Sequence, residues 1–95
     1  MENKDNPKDF VRKVTITNEL GLHARSAAKI AKIALRAAGK IWIMKDALTV
    51  DAASIIDILT LEGTKGSDIT IKIEDRSDAE ILTELEQLVA SGFGE

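Results

Sequence analysis

The chain has 95 residues, no cysteine and a net charge of −3, and 44% of its residues are hydrophobic. This length fits one domain, and the lack of cysteine excludes disulfides and thiolate metal sites, as in proteins of a reducing compartment. No apolar run reaches the roughly 18 residues of a membrane span, and no secretory signal or strong positive charge is visible, so we expect a cytoplasmic protein without membrane or nucleic-acid contacts.

The chain begins with an arm and a strand. Residues 1–9 contain Pro7 and mixed charges, which is typical of a flexible N-terminal arm, so we place a single domain at residues 10–95. Apolar and polar residues then alternate from Phe10 to Thr17, which predicts the first strand. Gly21 breaks this pattern.

A helix is predicted next, from Ala24 to Ala38. Its apolar residues recur at helical spacing, and Gly39 follows as a C-terminal terminator. The opposite face carries a basic stripe, which consists of Arg25, Lys29, Lys32 and Arg36. No acidic residue between Leu20 and Lys45 neutralises it. The basic stripe is therefore either a solvated helix face or a surface for an acidic partner.

The rest of the chain continues with strands and helices. Three further strands are predicted, at residues 40–45, 48–50 and 68–74. A short helix is predicted from Ser54, its N-cap, to Leu61, followed by a loop at residues 62–67. Ser77 and Glu80 form a capping-box pattern at the start of a final helix, which ends near Gly92.

The predicted element order is β-α-β-β-α-β-α. Because the alternation in the strands leaves one face of the sheet polar, we expect antiparallel pairing with all helices on the other face. The predicted fold class is α+β, with a four-stranded antiparallel sheet and three helices in two layers.

The only histidine, His23, lies in the sequence LGLHARSAA at residues 20–28, between a glycine-containing loop and the first turn of a helix. The backbone N–H groups of that turn, from Ala24, Arg25 and Ser26, can bind phosphate with the help of the helix dipole. An imidazole at this position can attack phosphorus, and the guanidinium of Arg25 can neutralise phosphate oxygens. A single histidine with scattered carboxylates offers no metal site. The alternative is that His23 only caps the helix.

Two motifs in this order resemble the HPr family, the small phosphocarriers of the bacterial phosphotransferase system. GLHAR at residues 21–25 matches the family's active-site motif, whose usual form is GLHARPA. VDAASIIDILTL at residues 50–61, followed by GTKGSDITI, resembles the family's regulatory-serine helix and the loop and strand after it. The resemblance implies an open-faced β-sandwich, phosphorylation of His23 with support from Arg25, and a regulatory serine at Ser54.

The resemblance also implies what the protein interacts with. The phosphoryl donor would be Enzyme I, charged from phosphoenolpyruvate, the acceptor would be an Enzyme IIA domain, and a serine kinase/phosphorylase would act on Ser54. The protein would be a monomeric carrier and not an enzyme, without cofactor or metal. Two alternatives stay open: a regulatory HPr paralogue, nitrogen-type or serine-phosphorylated, that controls other proteins, and a ligand-binding α+β regulatory domain.

One residue departs from the family motif, because Ser26 replaces the usual proline. Serine restores a backbone N–H that proline lacks and adds a hydroxyl, which gives two possible donors near the phosphate. The alternative is a neutral change at the helix start.

A docking surface is expected beside His23. Four aliphatic residues cannot all face inward from the short predicted helix: Ile55, Ile56, Ile58 and Leu59. Exposed aliphatic side chains next to basic ones combine apolar contact with electrostatic steering. The predicted partner-binding surface consists of Lys29, Lys32, Ile55, Ile56 and Leu59. The alternative is that a neighbouring loop covers these aliphatic residues.

Overall fold

Four strands pair in the order β1-β4-β2-β3, entirely antiparallel, in the computed structural model, which describes residues 10–95. The strands are β1 (Val11–Thr15), β2 (Ile41–Lys45), β3 (Leu48–Asp51) and β4 (Asp68–Ile73). The helices are α1 (Ala24–Ala34), α2 (Ile55–Leu59) and α3 (Ala79–Ala90). The predicted α+β open-faced sandwich and its element order are confirmed. The predicted arm at residues 1–9 lies outside the described residues.

The hydrophobic core lies between the sheet and the helices. Strand β4 is central in the sheet, and its alternate residues Ile69, Ile71 and Ile73 are fully buried. Ile71 pairs with Ile43 of β2, and Ile69 pairs with Val14 of β1. The helices close this layer with Ala27, Ile30, Ala34, Ile58, Leu82, Leu85 and Val89. None of the helices within residues 10–95 is both long enough and apolar enough to cross a membrane.

The other face of the sheet carries polar and half-buried side chains. Lys13, Thr15 and Lys72 are exposed there, and Trp42 is half-buried. The Trp42 Nε1–H donates to an Oε2 of Glu74 at 2.7 Å, so the indole has its polar atom satisfied at the surface. This face is the open side of the predicted sandwich.

Helix α1 is shorter than predicted. It ends at Ala34 with Leu35 as C-cap, and not at Ala38. The buried carboxylate of Asp78 accepts hydrogen bonds from the backbone N–H groups of Ala38 at 2.8 Å and Gly39 at 2.9 Å. The segment after α1 is therefore held by Asp78, just before α3, and Gly39 does not terminate the helix.

The start of α3 also differs from the prediction. Asp75 accepts hydrogen bonds from both the backbone N–H and the hydroxyl of Ser77, so Ser77 is not the N-cap of α3. A short 3-10 turn, Arg76–Asp78, precedes α3, which begins at Ala79. The predicted capping box of Ser77 and Glu80 is therefore wrong, because Asp75 caps the 3-10 turn instead.

Two loops meet at Gly21 and Gly63 and fix the entrance to α1. The Leu22 N–H donates to the Gly63 carbonyl at 2.8 Å. Gly21 has φ of +63°, and a Cβ there would lie only 2.3 Å from that carbonyl oxygen. This position therefore requires glycine. The contact holds the residue before His23 against the loop between α2 and β4.

Candidate functional site

His23 is the N-cap of α1, with extended backbone angles. Its side chain is 25% exposed. The ring Nδ1 accepts a hydrogen bond from the Arg25 N–H at 3.3 Å, and the backbone N–H of Ser26 also faces the ring. One ring nitrogen thus points at the first turn of the helix, where unpaired N–H groups and the helix dipole favour an anion. The predicted place of His23 at the start of the helix is therefore confirmed, and phosphate binding by Ala24, Arg25 and Ser26 stays a prediction.

The other ring nitrogen contacts a residue that sequence reasoning missed. The Nε2 of His23 lies 2.7 Å from an Oε2 of Glu95, 72 positions later in the chain. The same oxygen lies 3.7 Å from the Nε of Arg25, and Oε1 accepts a hydrogen bond from the Asn18 amide at 3.1 Å. These hydrogen bonds, from Asn18 first and His23 second, together with nearby positive charge, lower the pKa of Glu95. Glu95 is therefore ionised at neutral pH.

A tight turn after α3 carries Glu95 to the ring. Phe93 is 1% exposed and its side chain belongs to the core, although its φ is +60°. Gly92 and Gly94 on either side also have positive φ, which is accessible to glycine. The Nζ of Lys29 donates to the Phe93 carbonyl at 2.6 Å. A glycine-flanked aromatic residue after a helix was the only sequence signal of this turn, and it does not indicate contact with His23.

The basic stripe is more heavily paired than the sequence indicates. Arg36 forms a bidentate ion pair with Glu84 of α3, and this contact lowers the pKa of Glu84. Arg25 lies near Glu95. Residues 20–45 contain no acid, as the sequence shows, but acidic residues distant in sequence reach the stripe and neutralise part of it. Lys32 stays exposed.

Helix α2 presents the predicted serine and part of the predicted apolar surface. The Ser54 hydroxyl accepts a hydrogen bond from the Asp57 N–H at 3.2 Å, which confirms Ser54 as the N-cap. Ile56 is 75% exposed and Ile55 39% exposed, so no loop within the described residues covers them. Leu59 is half-buried against the core. Since α2 packs against α1, these side chains lie on the helical side of the molecule.

The hydroxyl of Ser26 is buried and has partners in the loop before α1. It accepts a hydrogen bond from the His23 N–H at 2.9 Å and donates to the carbonyl oxygen of Gly21 or His23, at 3.0 and 3.1 Å. The hydroxyl therefore donates within the loop, which favours the alternative that it is not a donor near the phosphate. Of the two donor groups of Ser26, it is the backbone N–H that faces the His23 ring.

We expect Ser26→Ala to lower the free energy of unfolding by about 1–3 kcal/mol, because the buried backbone groups of Gly21 and His23 would lose their partner. Urea unfolding followed by circular dichroism measures this change. Ser91→Ala is the control, because the Ser91 hydroxyl is exposed at the end of α3, and we expect a change within about 0.5 kcal/mol. Equal stability of Ser26→Ala and the unaltered protein would contradict the assigned role of the hydroxyl.

Comparison with known proteins gives consistent matches over nearly the whole chain. A family model described as the PTS HPr component phosphorylation site matches residues 10–91. The phosphocarrier protein HPr of Cupriavidus necator is 34% identical over 84 residues, which cover 88% of this chain and 94% of that protein. The phosphocarrier protein NPr of Shewanella violacea is 43% identical over 60 residues, or 63% of this chain and 66% of that protein.

Solved structures agree with these sequence matches. The crystal structure of HPr-C-His from Thermoanaerobacter tengcongensis superposes with a TM-score of 0.84 at 34% sequence identity. The superposition covers 90% of this chain and 96% of that one. The structural likeness therefore extends over most of the chain.

Proposed function

The chain belongs to the HPr family of phosphotransferase-system phosphocarriers, and we propose that His23 is the residue that carries its phosphoryl group. The observation that supports this most directly is the place of Nδ1, which faces the N–H groups of Arg25 and Ser26 at the start of α1. A phosphoryl group on Nδ1 would have its oxygens among those donors and that of Ala24. The Arg25 side chain is 65% exposed and is free to turn toward the phosphate.

In the proposed cycle, Enzyme I charged from phosphoenolpyruvate donates the phosphoryl group and an Enzyme IIA domain accepts it. The lone pair of Nδ1 attacks phosphorus while the bond between phosphorus and its leaving group on Enzyme I breaks, and the electron pair of that bond stays with the leaving group. The reverse exchange occurs on Enzyme IIA. The chain itself acts as a monomeric cytoplasmic carrier, and the partner enzymes supply the rest of each active site.

The direct test is to incubate the purified protein with phosphoenolpyruvate and the Enzyme I of a bacterial phosphotransferase system. We expect one phosphoryl group, detected by mass spectrometry, that is lost in mild acid, as a phosphohistidine is, and is retained in base. Addition of Enzyme IIA should remove it. Absence of acid-labile phosphate, with a known HPr phosphorylated in a parallel reaction, would overturn the proposal.

A regulatory role is the second candidate, supported by the 43% identity to an NPr-named relative and by Ser26 in place of the motif's proline. In this version the phosphorylated carrier donates to a nitrogen-type Enzyme IIA in preference to a sugar-type one. Transfer rates from the phosphorylated protein to each acceptor decide between the two roles. Family membership gives no support to the third hypothesis, a small-molecule-binding domain.

We further propose that Ser54 is a regulatory phosphorylation site and that Ile55, Ile56 and Lys32 belong to the surface that docks partners. Ile55 and Ile56 are exposed directly beside Ser54, so a phosphate on Ser54 would place charge within an apolar contact. Leu59 is half-buried beside these residues, and we include Lys29 in the same surface, although its Nζ is bound to the Phe93 carbonyl.

We expect Ser54→Asp to slow phosphoryl acceptance from Enzyme I by about tenfold, because the new charge must lose water when the apolar surface docks. Thermal stability should change little, since aspartate is also a good N-cap. Initial rates of phosphorylation at several concentrations of the carrier measure the effect. Ser54→Asn is the matched control, because it caps the helix without charge. Equal rates for both variants would place Ser54 outside the docking surface.

A further inference from the structure

Asn18 lies in the loop between β1 and α1 and is only 6% exposed. Its backbone carbonyl accepts a hydrogen bond from the Gly21 N–H at 3.1 Å, and its side-chain Nδ2 donates to the Gly21 carbonyl at 2.9 Å. The same Gly21 carbonyl accepts a hydrogen bond from the Ser26 hydroxyl at 3.0 Å. Since Gly21 lies two positions before His23, these bonds fix the orientation of the peptide that leads into the site.

The Asn18 side chain also binds the turn that follows α3. Its Nδ2 donates a second hydrogen bond, to the Oε1 of Glu95 at 3.1 Å. Next to it, the Thr17 hydroxyl donates to the Ala90 carbonyl at 3.3 Å, and a Cβ added to Gly92 would lie 3.7 Å from the Cβ of Asn18. Because an amide nitrogen carries two hydrogens, this one nitrogen joins two segments of the site that are 77 positions apart in the chain.

The orientation of this amide leaves its oxygen without a partner. The Oδ1 of Asn18 is buried and forms no hydrogen bond with any of residues 10–95. A buried acceptor without a partner lowers the stability of the fold. The opposite orientation would be less favourable still, because Oδ1 would then face the Gly21 carbonyl and the Glu95 carboxylate, which are both acceptors. The side chain therefore satisfies the two segments of the site and not its own oxygen.

We propose that Asn18 is a positioning residue for phosphoryl acceptance, whose amide holds the loop before His23 and the turn after α3 in one fixed arrangement. This inference builds on the proposed function of His23. Neither alanine nor an ionised aspartate can replace the amide, because neither donates a hydrogen bond from its side chain. Without the amide, the loop and the turn are held by separate contacts and shift relative to each other, which lowers the fraction of molecules in a reactive geometry.

The first test compares the kinetics of phosphorylation by Enzyme I. We expect Asn18→Ala to lower kcat by about tenfold with KM nearly unchanged, because the proposed docking surface on α2 is untouched. Thr17→Ala is the matched control, since the Thr17 hydroxyl binds the end of α3 at the Ala90 carbonyl and not at Glu95. We expect its kcat to lie within about twofold of that of the unaltered protein. A rise in KM at constant kcat, or equal losses in both variants, would overturn the inference.

The second test uses Asn18→Asp, which has nearly the same shape as the unaltered side chain. The introduced carboxyl would be buried and would face Oε1 of Glu95, whose other oxygen lies near His23 and Arg25. Burial and the neighbouring carboxylate both raise the pKa of the introduced carboxyl, and below that pKa it regains one O–H donor. The rate of Asn18→Asp relative to Asn18→Ala should therefore rise several-fold as the pH falls from about 8 to about 6. A ratio that stays constant would overturn the inference.

Circular dichroism and urea unfolding verify that each variant is folded. If Asn18→Ala does not fold, Asn18→Ser, which keeps one donor, is compared with Thr17→Ala. We then expect a smaller loss of kcat in the same direction, and equal values would again overturn the inference. Failure of the proposed function is distinct from these outcomes, because the unaltered protein would then carry no acid-labile phosphate. Full kcat in a folded Asn18→Ala protein, with normal phosphorylation of the unaltered protein, would refute the role of Asn18 alone.

Discussion

His23→Ala is expected to accept no phosphoryl group from Enzyme I while it keeps its fold. The variant lacks the only imidazole in the chain, and none of the other side chains near the start of α1 is a comparable nucleophile at neutral pH. Loss of the N-cap hydrogen bond from the Arg25 N–H should cost roughly 0.5–2 kcal/mol, which a domain of this size tolerates. Acid-labile phosphate after incubation with phosphoenolpyruvate and Enzyme I is the measurement, with circular dichroism as the check on folding.

His23→Asn separates capping from chemistry. Asparagine is among the best N-cap residues, so this variant should unfold at nearly the same urea concentration as the unaltered protein. It still has no nucleophilic nitrogen and should accept no phosphate. If either variant were phosphorylated by Enzyme I at the normal rate, the assignment of His23 would be wrong.

Phe93→Ala is expected to have the largest effect on stability. The Phe93 ring is fully buried among core residues, and its removal leaves a cavity that should cost about 3–5 kcal/mol. Urea unfolding measures the loss. Phe10→Ala is the control, because Phe10 is only partly buried against the same core and should cost less. Equal losses for the two variants would contradict the role of Phe93 as an anchor.

The same substitution tests how Glu95 is directed at the ring. If packing of Phe93 holds the turn, then Phe93→Ala should release Glu95 from the His23 ring, which ¹⁵N NMR of the ring detects as a change in the Nε2 signal. Phe93→Leu keeps an apolar anchor and should change this signal less, and it provides a folded variant where alanine is too destabilising. An unchanged Nε2 signal in a folded Phe93→Ala protein would show that Asn18 alone positions Glu95.

The sequence predicted those features that depend on neighbours in the chain. Local residue patterns located all four strands, with clear alternation in the last one, and the caps His23 and Ser54 were identified because a helix start is signalled by the residue just before it. The spacing of aliphatic residues in α2 also predicted that some are exposed, as Ile55 and Ile56 are.

The features that could not be predicted from the sequence depend on contacts between segments that are distant in the chain. Helix α1 ends early because Asp78 binds the backbone after it, and the basic stripe is partly neutralised by Glu84 on another helix. Glu95 reaches His23 only because a turn with three consecutive positive φ angles follows α3. The Ser26 hydroxyl could have faced either the phosphate or the loop, and local pattern does not distinguish these two directions.

The hydrogen bond from Leu22 to Gly63 has a consequence for the newly synthesised chain. His23 leaves the ribosome well before Gly63, which secures its loop, and before Glu95, which orients its ring. Until then the GLHAR segment has neither partner, and a helix as short as α1 is marginal in water without tertiary packing. The nascent chain therefore exposes His23 without the contacts that fix its loop and its ring in the folded protein. A chain that has not yet produced Gly63 and Glu95 therefore lacks both the fixed loop and the ring contact of the folded protein.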